Sequence, residues 1–178
     1  YPCTEGNPRS PQTTVYDGSG GGNHGTTTFY GDELVTNGTF ATDSDWSTHE
    51  SGWSTSSGTG NASSANNGSA LYQSATRTTG STYRVVFTIS NRSAGGVVFC
   101  PNTSGGVASG SDASGTYDSD GTYTYEWVES GTSTVTTWFR AMGTTTLDLD
   151  DISIKEIGVA AGWTTADAEP LIPQTALM

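Results

Sequence analysis

"TLDLDDISIKEI", Thr146 to Ile157, decides how this chain folds. Leu147 and Leu149 hold odd positions, while Ile152 and Ile154 hold even ones. Side chains of a strand alternate between its two faces, so a change of parity inside one apolar run calls for an extra residue. The run therefore reads as a strand with a bulge near Asp150–Asp151.

Moving outward, the same period of two recurs. "TYRVVFTIS" (Thr82–Ser90) sets Tyr83, Val85, Phe87 and Ile89 on one face, and "GTYTYEWVES" (Gly121–Ser130) sets Tyr123, Tyr125 and Trp127 on one face. "STVTTWFRA" (Ser133–Ala141) sets Val135, Thr137 and Phe139 on one side and Trp138 and Arg140 on the other. "SALYQSA" (Ser69–Ala75) alternates, and "GGVVFC" (Gly95–Cys100) is short and apolar. "ELV" at Glu33 begins the series and is followed by an Asn-Gly turn at Asn37–Gly38. Ser54–Ser69, rich in Ser, Gly and Asn, reads as a polar loop. Short strands at this spacing, with turn residues between them and no helical period, predict an all-β antiparallel sandwich of the jelly-roll kind.

The organisation is a core at 33–157 between two arms. The N-terminal arm, 1–32, is rich in Pro and Gly, and the C-terminal arm, 158–178, holds Pro170 and Pro173. Neither can build a core alone. Each carries apolar residues without an obvious place, and the stretches suspected of assembly are Thr26, Thr27, Thr28, Phe29 and Tyr30 in the first and Leu171, Ile172 and Leu177 in the second. An extended arm of this kind can complete a neighbour's sheet edge. The alternative is that both arms are interdomain linkers. The chain starts at Tyr1 with no visible signal peptide, which reads as a processed product or a piece of something longer.

Composition narrows the function. The 178 residues are 32% hydrophobic, 13% charged and 10% aromatic, with Ser, Thr and Gly filling the remainder. The net charge is −12 with a single lysine, Lys155, which offers no cationic surface to nucleic acid or anionic membranes. No apolar run is long enough to insert in a membrane. Cys3 and Cys100 either pair as one disulfide or stay unpaired. His24 and His49 sit in polar stretches outside any catalytic motif, and Gly18–Gly22 lacks the lysine and helix of a phosphate cradle. Asp118–Glu126 lacks the spacing of an EF-hand and reads as a hairpin turn. The chain is not expected to be an enzyme. Five sequons, at Asn37, Asn61, Asn67, Asn91 and Asn102, arise readily in a chain this rich in Ser and Thr.

"ELVTNGTFATDSDW" (Glu33–Trp46) with the following "GW", then "TYRVVFTIS", "GTYTYEW" and "LDLDDISIKEI", resembles the jelly rolls of carbohydrate-binding modules of families 4 and 9 and their galactose-binding-like relatives. The resemblance covers about 33–157. It implies that Phe40 enters the core and that Trp46 packs over the sandwich edge. It implies a structural Ca²⁺ between the first and last strands, held by Asp150 and Asp151, with Asp43 substituting because Ala41 stands where these modules usually have Glu. No other cofactor is implied. It also implies sugar contacts, for which Trp53, Tyr72, Trp127, Trp138 and Arg140 are the candidates, since aromatic faces stack on sugar C–H patches. "VYDGSGGGNHGTTTFYG" in the first arm resembles the opening of laminin-G-like modules, and the second arm resembles linkers of phage structural proteins.

Together these readings predict a non-catalytic structural subunit of an extracellular fibre or of a virion surface or tail, joined to copies of itself through its arms. The alternative is a module that attaches to glycans.

Overall fold

The computed structural model describes residues 30–102, 113–131 and 134–158, together with the backbone at 14–15 and 25–26. Two units emerge, one made of Tyr1–Gly31 with Gly158–Met178 and the other Asp32–Ile157. Of the first unit, the description reaches a two-residue antiparallel ladder, β1 (Thr14–Val15) on β2 (Gly25–Thr26). Of the arm residues singled out above, Thr26 lies in that ladder and Tyr30 opens β3 (Tyr30–Glu33), while Thr27, Thr28, Phe29, Leu171, Ile172 and Leu177 lie outside the described residues.

The second unit is all-β and antiparallel, as expected. Its strands after β3 are β4 (Ser47–His49), β5 (Trp53–Ser56), β6 (Thr59–Ala65), β7 (Ala70–Thr76), β8 (Thr82–Cys100), β9 (Thr116–Tyr117), β10 (Gly121–Val128) and β11 (Thr134–Ile157). β8 and β11 are the frame. The first half of β8 lies between β10 and the second half of β11, which continues to β6 and β5. The second half of β8 pairs with the first half of β11, which continues to β7 and β4, and β9 flanks β8. Each long strand thus serves both layers of a sandwich.

The four runs read separately at Thr82–Ser90, Gly95–Cys100, Ser133–Ala141 and Thr146–Ile157 are in fact two bent strands. The bend falls where the two cross. Gly95 has φ +63°, and a Cβ there would stand 2.4 Å from Thr145 Oγ1. Only glycine permits that approach. Thr145, fully buried, donates its hydroxyl to the Gly96 carbonyl across the bend at 3.1 Å.

The main core lies between the layers. Tyr83, Val85, Phe87, Ile89, Leu147, Leu149, Ile152 and Ile154 from one layer meet Leu71, Val97, Phe99 and Phe139 from the other. The predicted change of parity is present. The β11–β8 register shifts between Asp150 and Ser153, and Asp151 takes φ +50°, so both Leu149 and Ile152 face inward. Asp150 accepts the Asp151 N–H at 2.7 Å and closes the bulge.

The segment at "NGTF" docks on this bulge. Ile152 N–H donates to the Gly38 carbonyl at 2.9 Å, and a Cβ on Gly38 would fall 1.9 Å from Ile152 O. Asn37 spends its side-chain amide on Thr42 O (2.7 Å) and Ser44 O (3.0 Å), and its carbonyl receives Trp46 Nε1–H at 3.0 Å. Phe40 adopts φ +49°, uncommon for a bulky residue, and its ring enters the core against Trp46 at 5.3 Å. Phe40 thus enters the core as the resemblance implied, and Trp46 packs into the same core cluster.

Three local readings are corrected. Ser54–Ser69 is mostly hairpin: β5 and β6 pair, and β6 turns Gly60, Ala62 and Ala65 inward, where Gly60 leaves room for Phe40 and Leu71. Small residues suit an inner face already filled by large neighbours. Asp118–Glu126 is not a hairpin turn, because from Gly121 it is strand β10, and β9 and β10 both pair with β8 and follow its bend. The first strand is β3, ending at Glu33, while Leu34 and Val35 follow it and pack on the core as non-strand residues.

Candidate functional site

A second, smaller apolar cluster lies on the other side of the β4–β7–β11–β8 layer, away from the main core. It holds Ala70, Cys100 and Trp138, with Tyr72, Val98 and Ala113 packed on it. Alternation explains it. Phe139 points into the sandwich, so Trp138 and Arg140 must point out. The register then builds rows across the strands. Tyr72 and Cys100 flank Trp138, while Ala70 and Val98 flank Arg140, and His49 faces Ala70.

The geometry is that of a partly covered aromatic site. Tyr72 stacks on Trp138 with centroids 5.0 Å apart and planes 17° apart, and His49 meets the same indole at 4.9 Å and 49°. Trp138 itself is only 5% exposed, and its Nε1–H makes no hydrogen bond. Tyr72, His49 and Arg140 are half-buried, so they form the reachable margin. His49 also lies 3.8 Å from Glu50. Cys100 is a free thiol among the described residues, and burial pushes it up to about 11, with nearby Arg140 pulling weakly the other way. It stays a protonated, inert thiol at neutral pH. Cys3 lies outside the described residues.

The structure divides the sequence candidates. Tyr72, Trp138 and Arg140 come together. Trp53 does not join them: it is 7% exposed and belongs to the main core. Trp127 is likewise in the main core, stacked on Tyr83 at 5.7 Å. Trp127 and Trp138 thus form no exposed pair, because one strand turns its Trp inward and the other turns its Trp out. His49, read as a loop residue, joins the site because Ser47–His49 is a strand, too short for its alternation to be legible.

The calcium ligands do not assemble. Among the described residues no three of His, Cys, Asp and Glu gather as a metal-holding group. Asp150 is engaged in closing the bulge, and Asp43 gives its backbone carbonyl to Thr55 Oγ1 at 3.4 Å beside β5.

A buried ion pair escaped sequence reading. Arg77 and Glu129 have fully inaccessible side chains, with Arg77 Nε donating to Glu129 Oε2 at 2.6 Å. Arg77 also donates to Thr137 Oγ1 at 2.6 Å and to the Pro101 carbonyl, and lies 5.4 Å from the centre of the Trp127 ring. Glu129 accepts Gly131 N–H at 2.8 Å. Burial pulls the Arg77 guanidinium down from its ordinary value, against the Glu129 carboxylate, which raises it. Burial pushes Glu129 up, but the Gly131 N–H, Arg77 and Asn102 outweigh it and hold the carboxyl below its usual value. The partners are 52 residues apart in the chain, and nothing local in the sequence joins them.

No family model matches the sequence, and no curated protein matches it. Solved structures do. The fold is similar to that of a structure described as a family 4 carbohydrate-binding module, with a TM-score of 0.54 at 16% identity over 68% of this chain and 99% of that one. A likeness to the enzymatically active domain of bacteriophage CBA120 tailspike protein 4 has a TM-score of 0.49 at 13% identity, over 70% of this chain and 21% of that one. At such identity the first comparison defines the fold: a β-sandwich of the carbohydrate-binding-module type.

Proposed function

We propose that this chain is a glycan-binding module of a secreted or virion-surface protein, and that the outer face around Trp138 receives the sugar. The observation that carries the reading is the Tyr72–Trp138–His49 cluster on the outside of a sheet, in a fold shared with a carbohydrate-binding module. Large aromatic groups on an outer sheet face, with polar groups at their margin, are what a sugar ring needs for stacking and orientation. Tyr72, half-buried on that face, offers the reachable ring. The module is read as non-catalytic.

Affinity electrophoresis through soluble polysaccharides, followed by calorimetry with oligosaccharides, tests the reading. Tyr72→Ala is expected to lose at least about tenfold in affinity, about 1.4 kcal/mol, while still unfolding in one cooperative transition. Retention of full affinity by Tyr72→Ala would remove this face as the site.

A second reading, a structural subunit of a fibre or tail, is favoured by β10. Among the described residues β10 pairs only with β8, and Val128 at its end is 57% exposed. An open apolar edge invites a further strand, from a second copy or from an arm. Monomers at high concentration in size exclusion would count against it.

A further inference from the structure

We infer that Asn67 is an acceptor for an N-linked glycan, and that it is the sequon of the five whose modification the fold accommodates. The inference takes from the reading above only the secreted setting and does not depend on what the Trp138 face binds. An asparagine in Asn-x-Ser/Thr accepts an oligosaccharide from a lipid-linked diphosphate donor. Nδ2 bonds to the anomeric carbon, the bond from that carbon to the diphosphate oxygen breaks, and the amide gives up one of its two protons as the lipid diphosphate leaves. Afterwards Nδ2 carries a sugar in place of one hydrogen, while Oδ1 accepts as before. A sequon is therefore compatible with the fold where Oδ1 is in use and Nδ2 is not.

The five sequons divide on this point. Asn37, half-buried, donates Nδ2 twice, to Thr42 O and Ser44 O. Asn61 on β6 and Asn91 on β8 both donate Nδ2 to the Asp148 carboxylate, at 2.5 and 2.8 Å. Asn102, half-buried, donates Nδ2 to Ser130 Oγ at 3.4 Å. Asn67 is the reverse. It is exposed in the turn between β6 and β7, and its Oδ1 accepts Gly143 N–H at 2.9 Å, while Nδ2 has no acceptor among the described residues. Backbone bonds hold the turn, from Gly68 N–H to Ala141 O at 2.9 Å and from Ser69 N–H to Asn66 O at 3.0 Å. A sugar on Asn67 Nδ2 leaves all of these in place. Ser69, the hydroxyl of this sequon, is fully buried and donates to Asn66 O at 2.7 Å. The transferase must therefore read it before the chain folds, and the fold then decides which glycosylated forms survive. Each internal bond that a sugar displaces lowers the folded-to-unfolded ratio by about fivefold.

The test is to express the full chain behind a cleavable secretion leader in a eukaryotic secretory host. Secreted and retained fractions are then mapped separately by glycopeptide mass spectrometry. In the secreted fraction Asn67 is expected to be filled on most molecules, and Asn37 and Asn61 at least about fivefold less often. The form glycosylated at Asn67 is expected to melt as the unglycosylated chain from a bacterial host does. Asn67→Gln is expected to remove that glycan from a chain that is still secreted. Asn67→Asp, which keeps an acceptor for Gly143 N–H and has no amide, is the second variant should the longer Gln disturb the turn. A secreted chain bare at Asn67, whether or not other sequons are filled, overturns the assignment. So does a glycan at Asn67 confined to the retained fraction, since that form then fails to fold. Even occupancy of all five sequons in the secreted chain overturns the selection by the fold. None of these outcomes touches the glycan-binding reading, which is tested at Tyr72.

Discussion

Trp127 and Trp138 are equally buried, each 5% exposed, yet their surroundings differ. The Trp127 indole N–H points to Glu129 Oε2 at 3.4 Å, its ring lies beside the Arg77 guanidinium, and Tyr83 stacks on it. Around it, Arg77, Glu129, Thr137 and Gly131 all find partners, although Asn102 Oδ1 does not. Around Trp138 the rings are stacked as tightly, but the N–H is unmatched and the neighbours Tyr72, His49 and Arg140 reach solvent. The same residue type at the same burial serves two ends. One region closes its polar groups on each other and so stabilises. The other leaves a buried donor unmatched beneath half-buried neighbours.

The largest effect should come from breaking the closed region. Arg77→Ala or Glu129→Ala leaves a charge buried without its partner and is expected to cost about 3–5 kcal/mol in urea unfolding. The double variant Arg77→Met/Glu129→Leu should cost much less than the sum of the two. Single losses below about 1 kcal/mol would mean that the pair is not the closed unit described here. Acid should reveal the same unit. Glu129 has its folded pKa below its unfolded value, so its contribution is complete above the unfolded pKa of about 4.5 and is lost as pH falls through the folded one. The stability gap between the native chain and Glu129→Gln is therefore expected to narrow steadily below about pH 4.5. A gap independent of pH would show that the carboxylate charge does not matter.

How much of this was visible in the sequence differs between the two regions. Alternation alone put Phe139 and Trp138 on opposite faces, of which the structure turns Phe139 inward, and the parity change at Asp150–Asp151 located the bulge. Those signals are local and have a period of two. The resemblance put Phe40 inside, where Gly38 lets the loop press against Ile152. What was misread depends on distance or on small residues. The Ser54–Ser69 hairpin has an inner face of Gly and Ala, which looks like loop because its burial is set by Phe40 and Leu71 from elsewhere. The Arg77–Glu129 pair is a meeting of chain ends of β7 and β10 that no local pattern announces.

The smallest expected difference is the sharpest test of the comparison. Phe replaces Trp in both places, removing one ring and the N–H while keeping an aromatic body. Loss of packing should be similar at the two sites, since the two indoles are equally buried. The N–H should not count equally. At Trp127 its removal takes a donor from Glu129, a buried charged acceptor, which adds about 1 kcal/mol. At Trp138 an unmatched donor leaves the interior, and its removal is neutral or slightly stabilising. Trp127→Phe should therefore be the more destabilising of the two by about 1 kcal/mol, read from paired urea melts. Glycan affinity should move the other way, because only Trp138 is the ring on which the half-buried Tyr72 stacks. Equal stabilities with equal affinities would mean that burial alone, and not the pairing of polar groups, governs both tryptophans.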